Sequence, residues 1–272
     1  MGDDINNRET RFKFVRISNQ DRLPQSTSPS DFVVDVTDSD LHKSTELYVH
    51  SVSFPNVFYN VDTHNNSLIF RAESLGGVTS VEPLITIEPG FYTTTTLLTA
   101  LKTVMDDALI PVAGTIDFTQ DAITNKISFQ TTSLDGITFF SVDSKELSTL
   151  SPFLGINEDI IPIVTSGTFD AMPSLQGETM AYIHSKDISA SKTRLSEKSL
   201  SVSSCISIPI DVPFLATQSY LPAQMETNKI IFNTQTDLAT LNIRLRAQDG
   251  RILPLSPNEK LIIVLKMYYD YD

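Results

Sequence analysis

Residues 85–109, ITIEPGFYTTTTLLTALKTVMDDAL, limit what this chain can become more than any other stretch. Leu97, Leu98, Leu101, Val104, Met105, Ala108 and Leu109 recur at helical spacing and form one apolar face. Ahead of them, a strand-like run at 84–87 and the breakers Glu88-Pro89-Gly90 mark a strand-to-helix junction, and one of Thr93 to Thr96 is placed to cap the helix. Asp106 and Asp107 lie near its carboxyl end, where negative charge is unfavourable, so packing must hold it. The rest of the chain reads as strands and turns. A single amphipathic helix in such a chain is expected to cover an edge or opening of a β-sandwich.

The strand signals are numerous. Phe12, Phe14 and Arg16 share one side of a short strand, and the polar, Pro/Ser-rich residues 18–30 read as a loop or flexible arm. Phe32, Val34 and Val36 alternate cleanly, and residues 46–54 form a strand stopped by Pro55. Turns are expected at Asn65-Asn66 and Gly76-Gly77, and a hairpin across 120–124. Residues 146–154 suggest a short helix ended by Gly155, and 156–174 a long connection broken by Pro162, Gly167 and Pro173. A strand at 178–185 puts Met180, Tyr182 and His184 on one face; 187–199 is an exposed loop. Strands at 201–210, 229–232, 238–245 and 260–268 close the chain. The last is almost continuously apolar, as expected of a central strand or one buried on both faces. This pattern indicates an all-β protein, a sandwich or jelly roll. Tyr48-Val49-His50-Ser51 and Tyr182-Ile183-His184-Ser185 are near copies, but their flanks do not match.

Charge restricts function. Twenty basic against 33 acidic residues leave −13, which argues against a specific nucleic-acid contact; interleaved acids break up the basic run Lys186, Lys192, Arg194 and Lys198. Charged content of 19% is low for a soluble monomer and suits flanks covered by neighbours. Cys205 is the sole cysteine, so neither an intrachain disulfide nor a cysteine metal cluster is possible. The first ten residues carry no signal-peptide pattern and no run is long enough to span a bilayer, so the expectation is a soluble, intracellularly made protein without membrane insertion.

Catalytic patterns are missing. His42, His50, His64 and His184 form no metal-ligand spacing with one another, and no nucleophile elbow, phosphate loop or calcium loop occurs. Cys205 lies in an alternating strand as a small, buried or half-buried side chain. The acidic pairs Asp38/Asp40, Asp106/Asp107 and Glu158/Asp159 are the remaining candidates for a cation site or glycosidase-like pair, and all fall in loops or at helix ends. Phe58-Tyr59, Phe91-Tyr92 and Tyr268-Tyr269 suit a carbohydrate site, an interface or the core. The expectation is a protein that is not an enzyme, with no catalytic, cofactor-binding or metal residues and no cofactor.

The order of features carries a resemblance. ELYVHSVSFPNVFYNV, the turn at Asn65-Asn66, ITIEPGFYTTTTLLTALKTVM, and TIDFTQDAITNKISF ending near FLGI come in succession. LQGETMAYIHSKDIS and LNIRLRAQDGRILPLSPNEKLIIVLKMYY follow. Over about residues 30–270 the set resembles the penton, or minor capsid, proteins of virophages and Polinton-like viruses. That resemblance implies a jelly-roll β-sandwich with an inserted region carrying the one amphipathic helix. It divides the chain into a flexible polar arm with one short strand over 1–30 and a jelly-roll capsid domain over 31–272. Insertions are placed within 88–200, in either 88–154 or 156–200. The function implied is structural: a homopentameric penton capsomer at the icosahedral vertices of a DNA virus. Its implied partners are major capsid protein trimers and other minor capsid or spike proteins, and its location the virion. The alternatives are another β-rich virion component (receptor-binding, spike or cement) and a β-sandwich carbohydrate-active enzyme.

Overall fold

A computed structural model describes residues 11–39, 46–160, 164–185, 189–190, 204–222, 229–231 and 239–269 of the 272. Its first strands are β1 (Arg11–Ser18), β2 (Asp31–Asp35), β3 (Glu46–Pro55), β4 (Ser67–Ser74), β5 (Ser80–Val81) and β6 (Leu84–Thr86). Helix α1 (Thr94–Leu109) precedes β7 (Thr115–Gln120), β8 (Ile127–Thr132) and β9 (Leu134–Phe139). The short α2 (Ser151–Leu154) leads to β10 (Ser166–Thr168), β11 (Met180–His184), β12 (Ser189–Ala190) and β13 (Ser204–Pro209). Last come β14 (Thr217–Tyr220), β15 (Lys229–Ile231), β16 (Thr240–Arg246) and β17 (Ile262–Tyr269). The chain divides into two compact units, one made of Met1–Phe58 with Glu178–Asp272 and the other of Tyr59–Gly177.

The first unit is a sandwich of two antiparallel sheets. One has the order β1-β17-β3-β15-β12, with β14 also on β3; the other has the order β13-β11-β16-β2. β14 runs along Val52–Pro55 and β15 along Leu47-Tyr48, so both continue one strand position beside β3. Counting that position once and setting aside the two-residue β12 at the sheet edge, the first sheet takes the first, eighth, third and sixth strands and the second takes the second, seventh, fourth and fifth. This is jelly-roll topology. Period-two alternation supplies the core between the sheets: Phe32 and Val34 from β2, Leu47, Val49, Val52 and Phe54 from β3, Leu241, Ile243 and Leu245 from β16, and Ile263, Leu265 and Met267 from β17. In β3 the inward phase slips between Val49 and Val52, because a bulge opposite Val264/Leu265 accommodates one extra residue, His50. β17 is central, as its composition suggests, yet only one of its faces is buried: Ile262, Val264, Lys266 and Tyr268 are half-buried on the other.

Where the sequence reads as a loop or flexible arm, residues 19–30 are held by their own polar groups. Asn19 is fully buried; its Nδ2 donates to Glu259 O (2.9 Å) and Pro29 O (3.2 Å), and its Oδ1 accepts from Leu261 N (3.0 Å). Leu23 N donates to Val33 O at 2.7 Å, stitching the segment to β2. Residues 1–10 lie outside the described residues.

The second unit connects β3 to β11, which belong to opposite sheets of the jelly roll. It contains a sheet in which β4 pairs with β5, β6 and β9, and a three-stranded sheet β10-β8-β7. Thr93 and Thr96 cap α1 reciprocally: each hydroxyl accepts from the other's backbone N–H. Leu97, Leu98, Leu101, Met105 and Leu109 enter a core with Phe70, Phe129, Phe139 and Phe169. The Phe129 and Phe139 rings are 5.0 Å apart and Phe139 and Phe169 are 5.2 Å apart, both edge-to-face. The expected helix at 146–154 is only the four residues of α2. Ser148 and Ser151 turn their hydroxyls onto Phe140 O, competing with a regular helix upstream. Gly155 then ends α2 at φ +85°, and a Cβ there would meet Ala171 O at 2.2 Å. The connection 156–174 contains β10, an added strand on β8.

Candidate functional site

Two members of the acidic pairs, Asp106 and Asp159, are engaged with neighbouring backbone and side chains. Asp106 and Asp117 both bind Lys102 Nζ, at 3.0 and 2.9 Å, and Lys102 also donates to Ile116 O (2.6 Å) while Ile116 N donates to Asp106 Oδ1 (3.0 Å). The helix thereby closes the backbone edge of β7, an exposed strand edge that would otherwise invite pairing. Hydrogen bonds to Asp117 and then Asp106 hold the Lys102 amine above its usual pKa. Asp159 accepts from Ser141 N, Ser141 Oγ and Ser144 Oγ. Burial raises its pKa, but those bonds together with the nearby Lys145 charge outweigh it, and the carboxyl lies below its ordinary value. Glu158 and Asp107 are exposed, and Glu158 N donates to Asp170.

Asp38 lines an open groove of about 550 Å³ with Lys13, Arg16, Asp21 and Asp35. The Asp35 carboxylate there is already engaged by the Thr37 hydroxyl and N–H, which lower its pKa. Asp40, His42 and the basic run Lys186, Lys192, Arg194 and Lys198 lie outside the described residues, as does the side chain of Cys205. His64 is exposed beside Asp62. Tyr182 lies opposite Arg246 and His184 opposite Arg244, so the regular β11–β16 register keeps His184 on the face of Met180 and Tyr182, where it is buried; the residue skipped in the β11–β13 register belongs to β13. Among the described residues no group of three His, Cys, Asp or Glu side chains could hold a metal ion, and no helix is long and apolar enough to cross a membrane.

What the fold does bring together is aromatic. β1 runs antiparallel to β17, with Phe12 opposite Tyr268 and Phe14 opposite Lys266; Lys266 in turn faces Tyr48 on β3. Residues directly opposite share a face, so these side chains meet on the outer side of the six-stranded sheet. Phe12 and Phe14 pack edge-to-face at 5.6 Å, Tyr48 and Tyr268 at 5.7 Å, and Phe14 lies 4.8 Å from the His50 ring. The Lys266 ammonium stands 4.4 Å from the Phe12 centroid and 4.8 Å from that of Tyr268. Phe12 is 55% and Phe14 48% exposed. The sequence puts Phe12, Phe14 and Arg16 on one side of a strand. It does not reveal that Tyr48, Lys266 and Tyr268 join them, because that depends on which strands pair.

The other aromatic pairs divide. Phe58 is in the jelly-roll core, Tyr59 and Phe91 are exposed, and the Tyr92 hydroxyl donates to Glu88 O. Asn60, unremarkable in the sequence, is 2% exposed: its Nδ2 donates to Tyr92 O (2.8 Å) and Leu175 O (3.0 Å), and its Oδ1 accepts from Tyr92 N (2.8 Å).

A family model matches residues 8–253, most of the chain and both of its units. The chain belongs to the DUF5901 family. That family is described as one of unknown function. No curated protein matches the chain. Among solved structures, this DUF5901 protein is similar to the crystal structure of the selenomethionine-labelled mavirus penton protein. The TM-score is 0.52 at 11% identity, over 96% of this chain and 100% of that one. At that identity the likeness is one of fold, and it extends over the jelly roll and the inserted unit of this DUF5901 chain alike.

Proposed function

We propose that this protein is a structural virion protein forming homopentameric penton capsomers at the icosahedral vertices of a DNA virus capsid. There it would contact the surrounding major capsid protein trimers. The observation that carries the reading is topological: an eight-position jelly roll in which the link from β3 to β11 has become a folded unit, in a chain whose likeness to a penton protein covers 96% of it and all of that protein's chain. The insertion on this reading is Tyr59–Gly177, which begins earlier and ends sooner than the 88–200 range suggested by the sequence. A non-enzymatic role is supported by the use made of the polar side chains: Asp106, Asp117 and Asp159 hold turns, edges and loops in place instead of converging on a cleft. The test is native mass spectrometry of the full chain with negative-stain class averages. Five-fold rings are expected. A stable trimer would overturn the reading in favour of another β-rich virion component.

A further inference from the structure

We infer that the aromatic band of Phe12, Phe14, Tyr48 and Tyr268 is the side of the subunit that meets a second copy of this chain, head to tail. The inference rests on the cyclic assembly proposed above and names the surface that builds it.

The band is anomalous as a solvent-facing sheet surface. Antiparallel sheets with one wet face place polar residues there, yet β1 turns two phenylalanines outward at successive outward positions, one beside the other. Neither belongs to the jelly-roll core, which lies on the opposite face of the same sheet. From a side-chain area of about 200 Å² each, the two rings leave roughly 200 Å² of apolar surface in water. A stable interface needs about 800 Å² per partner, so the band has the size of an apolar centre surrounded by a polar rim.

Charge selects the occupant. Lys266 sits within the band over two of its rings, and Arg16 continues the outward row of β1. Two bands pressed against each other about a two-fold axis would bring these cations together. The chain as a whole has the complementary balance: 33 acidic against 20 basic residues, a net of −13. A head-to-tail contact sets the cations of one copy against the acid-rich surface of the next, and repeated contacts of this kind close into a ring.

Sedimentation velocity and native mass spectrometry over a dilution series test this on the full chain. The panel is wild type, the double variant Phe12→Ser/Phe14→Ser, the single variant Lys266→Glu, and Ile123→Ser, which alters a 90% exposed side chain elsewhere. Loss of a central aromatic anchor is expected to raise the dissociation midpoint at least about thirty-fold in the double variant. Lys266→Glu should weaken the ring in the same direction, and Ile123→Ser should leave it unchanged. Circular dichroism establishes that each variant is folded, and Lys266→Glu decides the matter if the double variant is not. Rings that persist within about threefold of the wild-type midpoint in both band variants would overturn the inference while leaving the pentamer reading intact. A wild type that stays monomeric at the highest concentration reached would overturn the inference. The vertex reading falls with it only if particles also lack five-fold density for this chain.

Discussion

Replacing Asn60 tests whether the inserted unit is closed by one buried side chain. Its amide reaches the Tyr92 N–H and carbonyl on one side and the Leu175 carbonyl on the other, so it fastens the start of the unit to the lead-in of α1 and to the end of the unit. Asn60→Ala leaves three partly buried backbone groups without this partner. At about 1–1.5 kcal/mol each the loss is roughly 3–4.5 kcal/mol, a large share of the 5–15 kcal/mol typical of a whole domain. For a unit of this size that corresponds to a fall of roughly 10–20 °C in its melting transition. The isosteric Asn60→Asp separates hydrogen bonding from volume. It keeps the acceptor for Tyr92 N but turns an oxygen toward two carbonyls, so at neutral pH it should destabilise at least as much as alanine. Scanning calorimetry gives the transition, and hydrogen exchange shows whether the amides of Val61, Gly90 and Tyr92 lose protection. Asn60→Asp melting within about 2 °C of wild type at pH 7 would refute the reasoning.

Three other outcomes follow from the same unit. Gly155→Ala combines a left-handed backbone with a Cβ placed 2.2 Å from Ala171 O, so a loss of at least about 2 kcal/mol is expected in chemical denaturation. Asp106→Leu removes the carboxylate that holds the Ile116 N–H and helps to hold Lys102. Faster amide exchange at Ile116 should appear, and a β7 edge as well protected as in wild type would refute the clasp. Asp159 has a lowered folded pKa, so its stabilisation is present above its unfolded value of 3.8 and is lost as pH falls through the folded value. Asp159→Asn should therefore flatten the decline in melting temperature below about pH 4, and an unchanged acid profile would count against it.

Local features were legible in the sequence where a local cause sets them. The apolar stripe of α1, its threonine cap, the 115–132 hairpin and the Gly76-Gly77 turn all follow from residues within a few positions of one another. Asp106, read as a charge poorly placed at a helix end, is compensated from i−4 by Lys102 and from outside the helix by Ile116, and only the first of these was local. Alternation places His184 on the face of Met180 and Tyr182 but does not show its burial there, which depends on the neighbouring strands. The helix at 146–154 was overextended because composition does not show that two serines prefer the carbonyl of Phe140. The role of Asn60 was likewise hidden, since its partners at 92 and 175 are distant in sequence.

The aromatic band is assembled from β1, β3 and β17, and the register that aligns Phe12 with Tyr268 spans nearly all of the intervening chain. Pairings this distant in sequence form late and slowly, after local units such as the helix and hairpins of the insert. During synthesis, then, Phe12 and Phe14 leave the ribosome early, but the surface they belong to has no third strand until β17 has been made. A nascent or truncated chain carries the rings without the Lys266 and Tyr268 that organise them. Synthesis of β17 thus acts as a timer on this surface, which comes into existence together with the jelly roll.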